Sequence, residues 1–232
     1  FTATANPLVF TAVLTPTVAG IVAVSVAASS FTDAAGNAGV GASAPSITFD
    51  PGVSGSAIDG YIASALVFRD VNNNGQWDRE AFSDDNNNGV RDANEAFVDA
   101  NGDGLFTAER FVLTDARGDF ANLGGTGKLV LIPLIAGNGN NLSRDISTGE
   151  AFTKQFSAPD GSSVVTPLTT LVDAVAGAGA SAATIAQAEA TVKAALGIGA
   201  GVDLKTFDPI ASASAAGASA ADQQAAVEIQ KI

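Results

Sequence analysis

Three patterns of apolar and polar positions succeed one another along the chain. Residues 1 to about 52 are rich in Thr, Val, Ala and Ser and carry almost no charge. Phe10 to Leu14 predicts a strand, and Thr15-Pro16-Thr17 with Gly20 a turn or sheet edge. Val22, Val24 and Val26 then alternate with Ile21, Ala23, Ser25 and Ala27, a two-residue period that predicts a strand with its Val side on a core. Asp33 to Asn37 reads as a turn and Ser46 to Phe49 as a last short strand. So few strands do not easily close a sandwich, so the expectation is a partial sheet domain. Pro51-Gly52 reads as its boundary.

Residues 58–158 predict a small antiparallel sandwich. Tyr61 to Phe68, Phe111 to Leu113, Phe120 to Leu123, Leu129 to Leu134 and Phe152 to Phe156 are its strands. Pro133 predicts an early strand end or an edge. A turn falls at Asp115 to Gly118 and a loop at Gly137 to Asn141. A charged, Asn-rich insertion, 70–109, interrupts the strand pattern.

From Thr166 the period becomes helical. Thr166 predicts an N-cap with Pro167 as first helical residue, and Leu168, Leu171, Val172 and Val175 form one face. Ser181 predicts a second cap, with Ile185, Ala188, Val192 and Leu196 on a face that ends at Gly197. A third helix is expected from Ser219. In the connector at 203–209, Phe207 is expected to dock into the bundle and Pro209 to end a turn. The fold class expected is therefore mainly β with a C-terminal α region: antiparallel β-sandwich modules with a polar loop insertion, then a small helical bundle over 166–232.

Composition narrows the chemistry. The 232 residues include no Cys, His or Met, and Asp plus Glu number 24 against 11 Lys plus Arg, a formal charge of −13. That charge opposes nucleic-acid binding, which needs basic surface. Without Cys or His there is no disulfide, no thiolate zinc site and no Ser-His-Asp triad. Oxygen ligands remain, and they suit calcium. The missing initiator Met, signal peptide and transmembrane run predict a segment of a longer chain with no direct membrane insertion.

Half of the acids, 12 of 24, fall in residues 70–119 with only four basic residues. They form three blocks in register. The first is Asp70, Asn72, Asn74, Gly75, Gln76, Asp78 and Glu80. The second is Asp84, Asp85, Asn86, Asn88, Gly89, Val90, Asp92 and Glu95. The third is Asp99, Asn101, Asp103, Gly104, Leu105, Thr107 and Glu109. A calcium loop aims side chains 1, 3 and 5 inward, turns at a Gly in position 6, offers the carbonyl of residue 7 and is closed by residues 9 and 12. The second block fills every position, Glu95 being the twelfth. In the other two, position 12 is Ala81 or Arg110, and Glu80 and Glu109 lie one residue early. Either those loops are tighter by one residue or a neighbouring block supplies the closing ligand, with Asp84 or Asp85 serving the first site. Two to four calcium ions are expected, without helix–loop–helix flanks. Trp77, Phe82, Phe97 and Phe106 are expected to pack against the sandwich or each other, with glycan stacking on Trp77 the sharper alternative.

Other candidates read as ordinary structure. Paired carboxylates suit a glycosidase, but these acids are better used as ligands. Ser162, Ser163 and Ser181 lack an activating base, Gly124 to Lys128 lacks phosphate-loop spacing, and Asn141-Leu142-Ser143 matches a glycosylation acceptor by a short pattern. No enzyme is expected.

With those residues in view, the chain resembles the large repetitive adhesins and biofilm-matrix proteins of bacterial surfaces. FTAVLTPTVAGIVAVSVAASSFTDAAGNAGV (10–40) is similar to the second half of a bacterial immunoglobulin-like repeat, giving a partial domain over 1–52. GYIASALVFRDVNNNGQWD (60–78) with VLTDARGDF (112–120) resembles a prealbumin-like sandwich module, and TPLTTLVDAV with GVDLKTFDP the helical module that follows it. The resemblance implies secretion to the cell surface or matrix, neighbouring domains in a longer chain, and a calcium-stiffened structural or adhesive role. A glycan- or peptide-binding module, or a self-associating surface-layer subunit with an open sheet edge, are the alternatives.

Overall fold

The computed structural model describes residues 2–3, 10–11, 13–18, 20–33, 35–102 and 104–229. The chain divides into two compact units, Phe1–Pro51 and Gly52–Ile232. Strands fill the N-terminal part and helices the C-terminal part. Among the described residues, no helix is long and apolar enough to cross a membrane.

The first unit is a set of two-stranded ladders. β1 (Thr2–Ala3) pairs with β2 (Phe10–Thr11), β3 (Gly20–Val22) with β6 (Ile47–Phe49), and β4 (Ser25–Val26) with β5 (Ala42–Ser43), all antiparallel. The expected turn is present: the Asp33 carboxylate accepts the N–H groups of Ala35 and Asn37. The expected Val-faced core is not. Val24 and Val26 are each 44% exposed, and Val22 is only partly buried. Ladders two or three residues long bring too little apolar surface together to bury either face.

The second unit holds β7 (Val53–Ala57), β8 (Ile62–Ala63), β9 (Leu66–Asp70), β10 (Phe111–Leu113), β11 (Asp119–Leu123), β12 (Lys128–Ile132), β13 (Arg144–Asp145), β14 (Phe156–Ala158) and β15 (Val164–Val165). One open sheet runs β10-β9-β12-β14 and another β11-β7-β15, while β8 and β13 make a small ladder. β12 stops before Pro133, which has no N–H to continue it. The strand expected over Tyr61 to Phe68 is broken in two. Tyr61 and Ser64 take left-handed φ values of 62° and 54°. Thr114 Oγ1 pins the bend, donating to the Ile62 carbonyl and accepting from Ala65 N–H. The strand expected at Phe152 to Phe156 forms later, at Phe156–Ala158.

Both sheets feed one buried cluster, including Ala57, Val67, Phe120, Leu123, Leu129, Leu131, Phe156 and Val165. Phe120 and Leu123 lie an odd number of residues apart, yet both are buried. The β11–β7 register shifts between them, and Asn122 sits at φ 58°. β9 is buried at all five positions. Leu66 and Phe68 face a second cluster that includes Trp77 and Val90, so the insertion covers the other side of this strand.

The helices are α1 (Pro167–Ala176), α2 (Ala182–Leu196), α3 (Pro209–Ser214) and α4 (Ala220–Ile229). Thr166 and Thr169 form a reciprocal capping box on α1, and Ser181 caps α2 by accepting Thr184 N–H. Pro209 begins a helix instead of ending the expected turn. Asp208 is the cap, accepting Ala211 N–H at 2.9 Å. Leu168, Val172, Ala188, Val192 and Leu204 form the helical core, with Phe207 packed against it.

Candidate functional site

After Asp70, the end of β9, the described residues of the insertion up to 109 form neither helix nor regular strand. Its three loops repeat one hydrogen-bond pattern. In each, the opening Asp accepts backbone N–H groups with both carboxylate oxygens: Asp70 from Asn74 and Gly75, Asp84 from Asn88 and Gly89, and Asp99 from Gly102 and Gly104. The turns need left-handed backbone at the fourth and sixth positions. Asn73, Asn87 and Gly102 supply the fourth, and Gly75, Gly89 and Gly104 the sixth. Asn and Gly tolerate this region best.

The polar side chains at positions 3 and 5 converge on position 9. Asn72 and Asn74 donate to Asp78 Oδ2 at 2.7 and 2.9 Å, and Asn86 and Asn88 to Asp92 Oδ2 at 2.6 and 2.9 Å. In the third loop Asn101 donates to Thr107 Oγ1 at 3.0 Å. Asp103 lies outside the described residues. The seventh positions follow the turn: Gln76 and Val90 N–H groups bond to Asn74 and Asn88 Oδ1, while Leu105 is exposed.

A glutamate closes each loop, accepting the N–H groups of positions 2 and 9. Glu95 closes its own loop through Asp85 and Asp92 N–H, both at 2.9 Å. The other two exchange. Glu109 closes the first loop, accepting from Val71 at 2.9 Å and Asp78 at 3.2 Å. Glu80 closes the third, accepting from Ala100 and Thr107 at 2.8 Å each. In this hydrogen-bond pattern it is Glu109 that meets the N–H groups of the first loop. Asp84 opens its own loop, and Asp85 contributes a backbone N–H to Glu95. The exchange is held by a bridge between Arg79 and Ala108, with Glu80 N–H donating to the Thr107 carbonyl and Glu109 N–H to the Asp78 carbonyl.

The loops are anchored by aromatics. Trp77 meets Phe111 with ring centroids 4.7 Å apart and donates its Nε1–H to the Glu109 carbonyl. Phe106 makes edge contacts with Phe82 and Phe97, each at 5.8 Å. Arg79 lies over Trp77 and Phe82, and Arg91 over Phe97. The second loop docks on the sheet unit: the Asp84 carboxylate also accepts Gly137 N–H at 2.8 Å. Burial alone would raise the Asp84 pKa, but the N–H groups of Gly89, Gly137, Asn88 and Asn87 outweigh it and hold the carboxyl below its usual range.

The donor set is carboxylate, amide and carbonyl oxygen, which fits a hard divalent cation. Among the described residues, no three His, Cys, Asp or Glu side chains converge as a ready cage. The Asn amide nitrogens stand against the position-9 oxygens instead. No protein-family model, curated protein or solved structure matches the chain.

Proposed function

We propose that the chain is a calcium-stabilised, non-enzymatic structural or adhesive segment of a secreted bacterial surface or matrix protein. The observation that carries the reading is the threefold repetition of one loop geometry, with every closing glutamate on the N–H groups of positions 2 and 9. In this reading the two open sheets around their shared core act as layers of a small sandwich, and the insertion is its calcium cassette. Asp70, Asn72, Asn74, Asp78 and Glu109 would hold one ion. Asp84, Asn86, Asn88, Asp92 and Glu95 would hold a second, and Asp99, Asn101, Thr107 and Glu80 a third. The amides turn their oxygens inward to do so. The ion supplies positive charge to a cluster of acids that otherwise repel, and its binding free energy becomes folding free energy.

Calorimetric titration of chelator-treated protein, paired with thermal unfolding, tests this. Saturable binding of about two to four ions with a rise in melting temperature is expected. No heat and no shift at millimolar calcium would end the reading.

A second reading, self-association through the first unit, is supported by its exposed apolar side chains, among them Val13, Ile21, Val40 and Ile47. Sedimentation across a concentration series checks it, and an unchanging monomer mass would sink it.

A further inference from the structure

We propose that the arginines beside the loops form a binding site for an oxyanion, a carboxylate or sulfate carried by a small ligand. Four of the six arginines of this acidic chain, Arg69, Arg79, Arg91 and Arg110, line two adjoining cavities. The larger has a volume of about 670 Å3 and is lined by Arg69, Arg79 and Arg110. The smaller, about 350 Å3, is bounded by Arg91 and Arg110, so Arg110 belongs to both. The larger volume lies within the range of small-ligand sites, about 300–1,000 Å3.

Arg79 and Arg91 lie over aromatic rings, but Arg69 and Arg91 each leave a nitrogen without an acceptor. Arg69 is only 6% exposed, and both of its side-chain hydrogen bonds leave from Nη1, to the Gly127 carbonyl and to Asp160 at 2.9 Å. Its Nε is buried without an acceptor. Arg91 Nε is the other such side-chain atom among the described residues. The Arg69–Asp160 contact is the one ion pair that these four arginines make among the described residues. Arg110 approaches Arg69 beside Gly125, where an added Cβ would meet both side chains within 4 Å. A buried donor left unsatisfied costs free energy, and a planar acceptor such as carboxylate matches the guanidinium fork.

Asp78, Glu80 and Glu109 also line the larger cavity. Their carboxylates are engaged by the loops: Asp78 by two Asn amides, Glu80 and Glu109 by two backbone N–H groups each. Cations in the first and third loops would offset those charges and strengthen anion binding, a step that rests on the calcium reading. Val71, Ala108 and Thr126 complete a wall suited to a sugar-sized body.

The test is a titration of the full chain with sodium glucuronate, sodium sulfate and glucose at low ionic strength, followed by chemical-shift changes, in calcium and in chelator. Saturable binding of glucuronate, of sulfate or of both is expected in at least one condition, with none for glucose. Binding of glucuronate alone makes the ligand an acidic sugar, and binding of sulfate as well makes the site one for the anion itself. Arg110→Gln, on an exposed side chain, should weaken the affinity about tenfold or more. Arg69→Lys, which keeps the charge but lacks Nε, should do the same. Melting temperatures report whether each variant folds, and Arg110→Gln carries the test if Arg69→Lys does not. No saturation by either anion, equal affinity in Arg110→Gln, or equal binding of glucose would overturn the proposal. Failure of the calcium reading shows separately, as a melting temperature indifferent to calcium.

Discussion

Lys128 Nζ lies 3.6 Å from Asp70 Oδ2 and 3.3 Å from Asp173 Oδ2, so one ammonium ties the first loop to α1. Asp70 is fully buried, and Lys128 is its one cationic partner among the described residues. Lys128→Met should destabilise the metal-free protein by about 1–3 kcal/mol, the scale of leaving a buried polar group or charge short of a partner. Calcium should recover part of that loss by supplying positive charge to the same carboxylate. Chemical denaturation with and without calcium measures both. A variant equally destabilised in the two conditions would show that no ion reaches Asp70.

The exchanged glutamates make a sharper prediction. Glu109→Gln should disable the first loop, Glu80→Gln the third and Glu95→Gln the second. Each removes charge from an acceptor of two N–H bonds, a change of about 1.5–3 kcal/mol at the affected site. Amide shifts of Val71 and Asp78 should respond to Glu109→Gln, not to Glu80→Gln. The reverse pattern would mean that each block closes itself.

Tyr61 joins the strands to the helices, its hydroxyl donating to Asp208 Oδ2 at 2.7 Å. Burial first, and then the Asp208 hydrogen bond and charge, push its pKa up to about 12 from 10. A raised pKa means that the neutral phenol is favoured in the folded state. Its stabilisation is full below about pH 10 and is lost as pH rises through about 12. Tyr61→Phe should flatten the alkaline limb of the stability profile and lower stability at neutral pH. Denaturation midpoints from pH 7 upward are the measurement, and an unchanged alkaline limb would contradict it.

The three loop glycines are not equivalent. Gly89 has φ +82°, and a Cβ there would stand 2.7 Å from Leu134 Cδ1 and 3.1 Å from the Ile135 carbonyl. Gly104, at φ +77°, has nothing within 4 Å. Gly104→Ala should cost about 1–2 kcal/mol for left-handed backbone alone. Gly89→Ala should add about 1–3 kcal/mol from overpacking against Leu134. Equal melting temperatures for the two variants would argue against the docking of the second loop on residues 134–137.

Much of this was legible in the sequence wherever a short stretch carries its own signal. The caps Thr166 and Ser181 announce α1 and α2 because side chain and backbone donor lie within three residues. The loop register was legible for the same reason, since each opening Asp and turn Gly sit five apart. What could not be read locally was pairing at a distance. β7 (Val53–Ala57) carries only small side chains after Val53 and so a faint strand signal; its central glycine is required because Gly55 passes so close to Ser163 that an added Cβ would clash with its carbonyl. The exchange of Glu80 and Glu109 depends on the Arg79–Ala108 bridge, which no single block encodes. The arginine cavities were missed because Arg69, Arg91 and Arg110 are scattered in sequence, though their scarcity in an acidic chain was a signal to follow.

The swapped closure also sets an order of assembly. A chain emerging N-terminus first presents Asp70 long before Glu109, so the first loop stays open while the whole of the second is made. Loop 2 has its closing residue within its own block, whereas loops 1 and 3 each wait for a residue of the other. A single cut between Glu95 and Asp99 therefore severs the chain between the members of both exchanged pairs and leaves one loop that closes on itself.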